Sequence, residues 1–273
     1  MSSPLRENQR NRYRSMREFA LGASTVQTTP ASLQIARTNR CNFKCAYCID
    51  HRVGSTIPRT ELVGDTWSDL RRLIPASTSM AFHGISEFLI DPEFFAIVAD
   101  CAAHGVELSI NTNGSVCTEK HVDAFVHYPS RLFFNFSIDA ATEPTYRRIR
   151  AWDWARLLRN IETYVAAFAR RPAPTKTTLS YVIFASNLHE TAAVVRLAHR
   201  LGVDGVKFYR LHEYAGLDWV VPTTHGGDWD YHREHTSRCP DEYDAAIDAA
   251  EATARELGVA IELPARYRTT GTP

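Results

Sequence analysis

The chain has no excess of charge of either sign: 31 lysines and arginines stand against 31 aspartates and glutamates. That balance supplies no bulk attraction to nucleic acid or to an anionic membrane. Long apolar runs are also missing. The longest reach about six residues, far short of the roughly 20 needed to cross a bilayer. The arginine-rich start (Arg6, Arg10, Arg12, Arg14, Arg17) contains no apolar signal-peptide core. Cysteine is scarce, at six in 273 residues, and without a secretion signal these thiols are expected to be reduced, in a cytoplasmic setting. Internal repeats and low-complexity tracts are absent. What remains is an ordinary soluble composition, 44% hydrophobic and 23% charged.

Short apolar runs alternate with longer amphipathic ones. Strands are expected at Ser32–Ala36, Met80–Ile85, Val106–Ile110, Leu132–Ile138, Thr178–Phe184 and Val206–Leu211, with a short last one at Val259–Leu263. Between them lie helical patterns. Val194, Leu197, Ala198 and Leu201 recur at helical spacing before Gly202, and Asp241–Leu257 repeats the device before Gly258. Strict alternation implies βαβ units and a parallel sheet. Six units are too few for a closed eight-unit barrel, so the expected fold is α/β, a partial (open) (βα)6 TIM-like barrel over residues 31–264. Residues 1–30 read as a leader helix or loose arm with Tyr13, Met16 and Phe19 on its packing side, and 265–273 as a tail. "RRPAPTK" (Arg170–Lys176) reads as a helix-to-strand linker. Glu213–Pro240 is a long connection rich in histidine, glycine and aromatics (Tyr214, Trp219, Trp229, Tyr231), of the kind that forms lids or binding loops.

Immediately after the first strand, where parallel α/β sheets gather function, stands "CNFKCAYC". It places Cys41, Cys45 and Cys48 at C-x3-C-x2-C spacing. With His51 it could be written as a Cys3His zinc site, although the ligands would crowd into eleven residues without the separated pairs of zinc modules. A redox dithiol with a bystander thiol is another reading. Thiolates are also the ligands of iron–sulfur clusters, and three of them can hold a four-iron cluster with one iron left open.

The spacing, with Tyr47 before the third cysteine, resembles the signature of the radical S-adenosylmethionine enzymes. Further segments match in order. "FHGISEF" (Phe82–Phe88) is similar to the family's G-G-E-P segment, but Ile85 and Ser86 stand where glycines are usual. "NTNGS" (Asn111–Ser115) is similar to a T-N-G turn. "FSIDAATEPTYRRIR" (Phe136–Arg150) and "VIFASNLHE" (Val182–Glu190) continue the likeness. The resemblance implies that Cys41, Cys45 and Cys48 ligate a 4Fe-4S cluster whose open iron is chelated by S-adenosyl-L-methionine. It implies cofactor contacts at Tyr47, Gly84, Ser86, Glu87, Asn113, Ser137, Asp139, Arg150 and Asn187, with Glu87 accepting from the methionine amino group and Ser137 and Asp139 facing the ribose or carboxylate. It implies reductive cleavage to a 5′-deoxyadenosyl radical, and a flavodoxin or ferredoxin as electron donor.

The fate of the substrate radical is less specific. Cys101, Cys117 and Cys239 lie far apart, so no auxiliary cluster is expected, and Cys101 and Cys117 read as packing residues. Without a second cluster as acceptor, redox-neutral outcomes are favoured. The leading expectation is epimerisation of a small polar metabolite (a sugar, nucleoside or aminocyclitol), with Cys239 as hydrogen-atom donor. Peptide modification, dehydrogenation and a zinc-stabilised binding module are the alternatives. His83, Asn111, Lys207, Tyr209 and His212, with Trp219 and Trp229, are nominated as substrate contacts. Phe82, Phe134, Phe136 and Phe208 read first as barrel core and second as shielding walls.

Overall fold

A computed structural model describes residues 6–50, 52–53, 55–212 and 220–268. Seven parallel strands form one sheet in the order β1 (Ser32–Gln34), β2 (Ser79–Phe82), β3 (Glu107–Thr112), β4 (Leu132–Ser137), β5 (Thr175–Ile183), β6 (Gly205–Arg210) and, at the far edge, β9 (Ala260–Glu262). The order follows the chain. Each strand steps to its neighbour through a helix, as right-handed βαβ connections require, and among the described residues no pairing joins β9 back to β1. The architecture is the open α/β barrel expected from the alternation of patterns. The linker Arg170–Lys176 joins α6 (Trp154–Phe168) to β5.

Strand periodicity sorts the core. Phe134 and Phe136 of β4, Leu108 and Ile110 of β3, Leu179 and Tyr181 of β5 and Phe208 of β6 are buried in the same cluster as residues of the covering helices. Those helices are α3 (Phe94–His104), α6, α7 (Thr191–Leu201) and α9 (Pro240–Leu257), which supply Phe94, Ile97, Ile161, Tyr164, Val194, Leu197 and Ile247. The phenylalanines therefore stand on the outer, helix-facing side. They are core, and of them only Phe134 also lines a space on the inner face. The alternate positions, which face inward because successive strand residues point to opposite faces, are mostly polar: Ser109 and Asn111, Asn135 and Ser137, Thr178 and Ser180, Lys207.

Two expectations change. The N-terminal arm is helical, α1 (Glu7–Ala20), but Tyr13, Met16 and Phe19 are 64%, 58% and 89% exposed rather than packed. The helix docks through amides instead: Asn8 donates to the His104 carbonyl (3.1 Å), and Asn11 to those of Thr29 and Ala76 (both 2.9 Å). The long connection after β6 is also more regular than its composition implied. Past residues 213–219, which lie outside the described residues with Tyr214 and Trp219, it forms an antiparallel pair, β7 (Val220–Pro222) with β8 (Asp228–Asp230), and a single helical turn, α8 (Tyr231–Glu234). No helix among the described residues is long and apolar enough to cross a membrane.

Candidate active site

The carboxyl ends of the strands enclose a cavity of 360 Å³. Cys41, Cys45 and Cys48 line it from the loop after β1. Arg37, at the root of that loop, anchors it. Its buried guanidinium donates to both oxygens of Asp91 (Nε at 2.9 and 2.8 Å) and to the Leu62 carbonyl (3.3 Å). Gly84, Ser86 and Glu87 form the next wall, then Asn111 and Thr112 at the end of β3 with Asn113 just beyond it, and Ser137 at the end of β4. Gly84 has φ +144°, and a Cβ there would sit 3.3 Å from the Ala36 Cβ, so this turn needs its glycine. Ile85 and Ser86 have ordinary negative φ. The departure from the family's glycines therefore forces no unusual backbone.

Glu87 is 1% exposed, and its carboxylate is engaged by its own chain. It accepts from Thr112 Oγ1 (2.8 Å), Leu89 N (3.2 Å) and Asn113 N (2.6 Å). Burial pushes its pKa up, and those three donors pull it part of the way back. The residue thus clamps the turn after β2 to the turn after β3, and so sets Asn113. The Asn113 amide donates to Asn42 Oδ1 (2.9 Å) and reaches Cys41 Sγ (3.8 Å).

Beneath the thiols lies a charged network. Asp139 is fully buried in a left-handed backbone conformation (φ 55°), which aspartate tolerates better than most residues. Its Oδ2 accepts from Arg150 Nε and Tyr47 Oη (both 2.8 Å), and its Oδ1 accepts from Val182 N (2.8 Å). Arg150 also donates to Tyr47 Oη (2.9 Å) and reaches Cys45 Sγ (3.8 Å). Burial works against the Arg150 charge, but Asp139 beside it holds the pKa well above the ordinary value. Burial also raises the thiols, Cys41 to about 11 and Cys45 to about 12. Both are neutral near pH 7 until a metal displaces their protons.

Several expected cofactor contacts sit behind the cavity rather than on it. Asp139 is covered by Arg150 and Tyr47, which do line it and to which it is hydrogen-bonded. Asn187 is fully buried, with its amide spent on the Asp139 and Val182 carbonyls (3.0 and 2.9 Å) and on Phe184 N (2.7 Å). It locks the β5 turn onto the β4 turn. Cys239 stands apart from the cavity. It sits where a short helical turn meets α9, its N–H donating to Thr236 and its carbonyl accepting from Tyr243, and it does not line the cavity. Trp229 is 2% exposed and packs edge-on against Phe184 (4.9 Å), so it is core rather than a substrate contact.

Of the nominated substrate residues, Asn111 and His212 line this cavity. Arg210 and Tyr231, which were not singled out as contacts, line it as well. Tyr231 donates to the Tyr47 carbonyl from 184 positions away. Only its place among the aromatics of the long connection hinted at this.

Among the described residues, no three Cys, His, Asp or Glu side chains are grouped as ligands of a single ion. In an iron–sulfur cube each thiolate binds a different iron, so the sulfurs need not converge. His51 lies outside the described residues. The cysteines share the cavity with Gly84, Asn113 and Arg150, so a cluster and a charged organic cofactor fit side by side.

An open parallel barrel with three cluster-type thiols at its carboxyl mouth defines an iron–sulfur enzyme architecture. The radical SAM superfamily profile matches residues 35–198, and the chain belongs to that superfamily. It is 28% identical over 181 residues to a protein of Rhodopseudomonas palustris named GTP 3′,8-cyclase, and 29% identical over 133 residues to one so named from Aliarcobacter butzleri. These matches cover 63% and 44% of this chain, and 50% and 38% of the relatives. The chain thus spans about half the length of the first. Among solved structures, Streptococcus suis SuiB bound to S-adenosylmethionine superposes with TM-score 0.64 at 12% identity, over 95% of this chain and 55% of that one. Native anSMEcpe with bound AdoMet gives 0.62 at 18%, over 85% and 64%. At such identities the likeness is one of fold, and both neighbours carry the cofactor in that fold. The superfamily uses a 4Fe-4S cluster and S-adenosylmethionine; Cys41, Cys45 and Cys48 would hold the cluster.

Proposed function

We propose that the protein reductively cleaves S-adenosylmethionine and removes a hydrogen atom from a small, hydroxylated metabolite. Bound at the cysteines, the cluster and its cofactor would supply the 5′-deoxyadenosyl radical. The chain's own part is to hold and shield. Arg150 presents a buried cation to a cofactor carboxylate, Ser137 and Asn113 offer hydrogen bonds, and the clamp at Glu87 keeps the turns in register. The observation that carries the small-molecule reading is the polar inner face of the sheet directly below the thiols, which suits hydroxyl groups. The relatives named GTP 3′,8-cyclase are consistent with it. Epimerisation through Cys239 is not part of the proposal, because that thiol lies outside the cavity.

Anaerobic reconstitution tests the reading. A brown protein with about four irons that releases 5′-deoxyadenosine on reduction with dithionite supports it, and Cys45→Ala should abolish both. Colourless, zinc-loaded protein would sink it. Activity only on peptides would replace the small-molecule substrate with a peptide.

A further inference from the structure

Below the cysteine cavity the inner face of the sheet encloses a second space of 160 Å³. Asn111 lines both, so the two adjoin at that side chain. The walls of the lower space are organised. Asn111, Asn135 and Thr178 are register partners on β3, β4 and β5. Thr178 Oγ1 donates to Asn135 Oδ1 (2.7 Å), and Asn135 Nδ2 donates to Asn111 Oδ1 (3.1 Å). Such a ladder aligns the amides and leaves the Asn111 NH2 group, at the junction, for a ligand. Beside it, just past the end of β2, His83 Nε2 pairs with Ser109 Oγ of β3 at 2.9 Å. Burial and the nearby Lys207 charge hold His83 below its ordinary pKa, so near pH 7 it is a neutral hydrogen-bonding group.

The charge in this space has one sign. Lys207 and Lys176 line it, and no carboxylate does among the described lining residues. The Lys207 ammonium is held from the sheet edge by Glu262 (3.1 Å), whose side chain is 62% exposed. An ion pair so open to water is weak, and an incoming anion can replace that carboxylate.

We propose that the lower space is the substrate-anchoring subsite and that it takes an anionic, hydroxylated small molecule, whose phosphate or carboxylate displaces Glu262 at Lys207 while its hydroxyls meet His83 and Asn111. This rests on the reading that the reaction takes place in the cysteine cavity above. The subsite draws the substrate's far end down so that its reacting carbon stands at the junction, beside Asn111.

The test uses reconstituted, S-adenosylmethionine-loaded enzyme and calorimetric binding of three probes: ribose 5-phosphate, gluconate and uncharged ribose. At least one of the two anions should bind about tenfold or more tightly than ribose. Lys207→Gln should erase that advantage, and Lys207→Arg, which keeps the cation, should retain it to within about threefold. The stronger of the two anions identifies the group as phosphate or carboxylate. Equal binding of all three probes, or an anion preference that survives Lys207→Gln, overturns the subsite. Cluster absorbance and the urea midpoint should be unchanged in Lys207→Gln, which separates a lost contact from a misfolded protein. If wild type releases no 5′-deoxyadenosine, the radical reading falls instead, and the binding data still judge the subsite.

Discussion

Replacing Asp139 by asparagine strands a guanidinium in the interior. Arg150 is 6% exposed, and its other contacts are the neutral Tyr47 hydroxyl and the Cys45 sulfur. The lost attraction, for charge centres about 4 Å apart at an effective dielectric near 20, is about 4 kcal/mol. Removing one partner of a buried ion pair costs about 3–5 kcal/mol in general. The asparagine keeps the side-chain shape, tolerates the left-handed backbone and can still accept from Val182 N, but its NH2 then faces the Arg150 and Tyr47 donors, so the loss combines that mismatch with the lost charge. In urea, with a slope of about 2–3 kcal/mol per molar for a chain of this size, the midpoint of the cluster-free protein should fall by roughly 1–2 M. Adding Arg150→Met removes the stranded cation, and the double variant should be at least as stable as Asp139→Asn alone. A midpoint shift worth less than about 1 kcal/mol for Asp139→Asn, or a double variant whose loss is the sum of the two single losses, would refute the buried-cation account.

Three further outcomes follow from the same geometry. Glu87→Gln turns one acceptor oxygen of the clamp into a donor facing a donor, so it should cost about 1–3 kcal/mol in urea unfolding and weaken S-adenosylmethionine binding by displacing Asn113; unchanged stability would show that the clamp is not formed. Burial raises Cys101 from its ordinary 9.0 to about 12, so the native state keeps a proton that the unfolded chain loses. Its contribution is complete below pH 9 and disappears as pH climbs toward 12, and Cys101→Ala should flatten the stability profile between pH 9 and 11 by about 1.4 kcal/mol per pH unit. Cys239→Ala should retain 5′-deoxyadenosine formation and product yield within about twofold, because the thiol does not line the cavity; loss of product with radical formation intact would return it to the chemistry.

Much of the protein was legible along the chain. The alternation of apolar runs reflects strands buried between helices and lumen, and C-x3-C-x2-C is a local motif whose meaning lies in its spacing. Where the structure departs from the sequence reading, the causes are physical. Tyr13, Met16 and Phe19 share a helical stripe, but nothing in a periodicity says whether a neighbour covers that stripe, and amide-to-carbonyl contacts dock this helix instead. The family resemblance put Asp139 and Asn187 on the cofactor, yet a polar side chain near a strand end can turn inward to satisfy backbone groups, as both do. Cys239 lies near the barrel mouth in chain order, but the turn that leads into α9 sets it outside the lining.

Spacing along the chain specifies the cluster motif, the strand–helix order and the polar inner face, since each depends on a few neighbouring residues. Which polar groups are left to face the cavity depends instead on how distant segments pack. Glu87 with Asn113, Asp139 with Arg150 and Tyr47, Tyr231 with Tyr47, and the Asn111–Asn135–Thr178 ladder all join residues from separate segments. Burial then assigns each carboxylate either to its own backbone or to the open cavity, and a linear chain does not encode that choice in any single stretch.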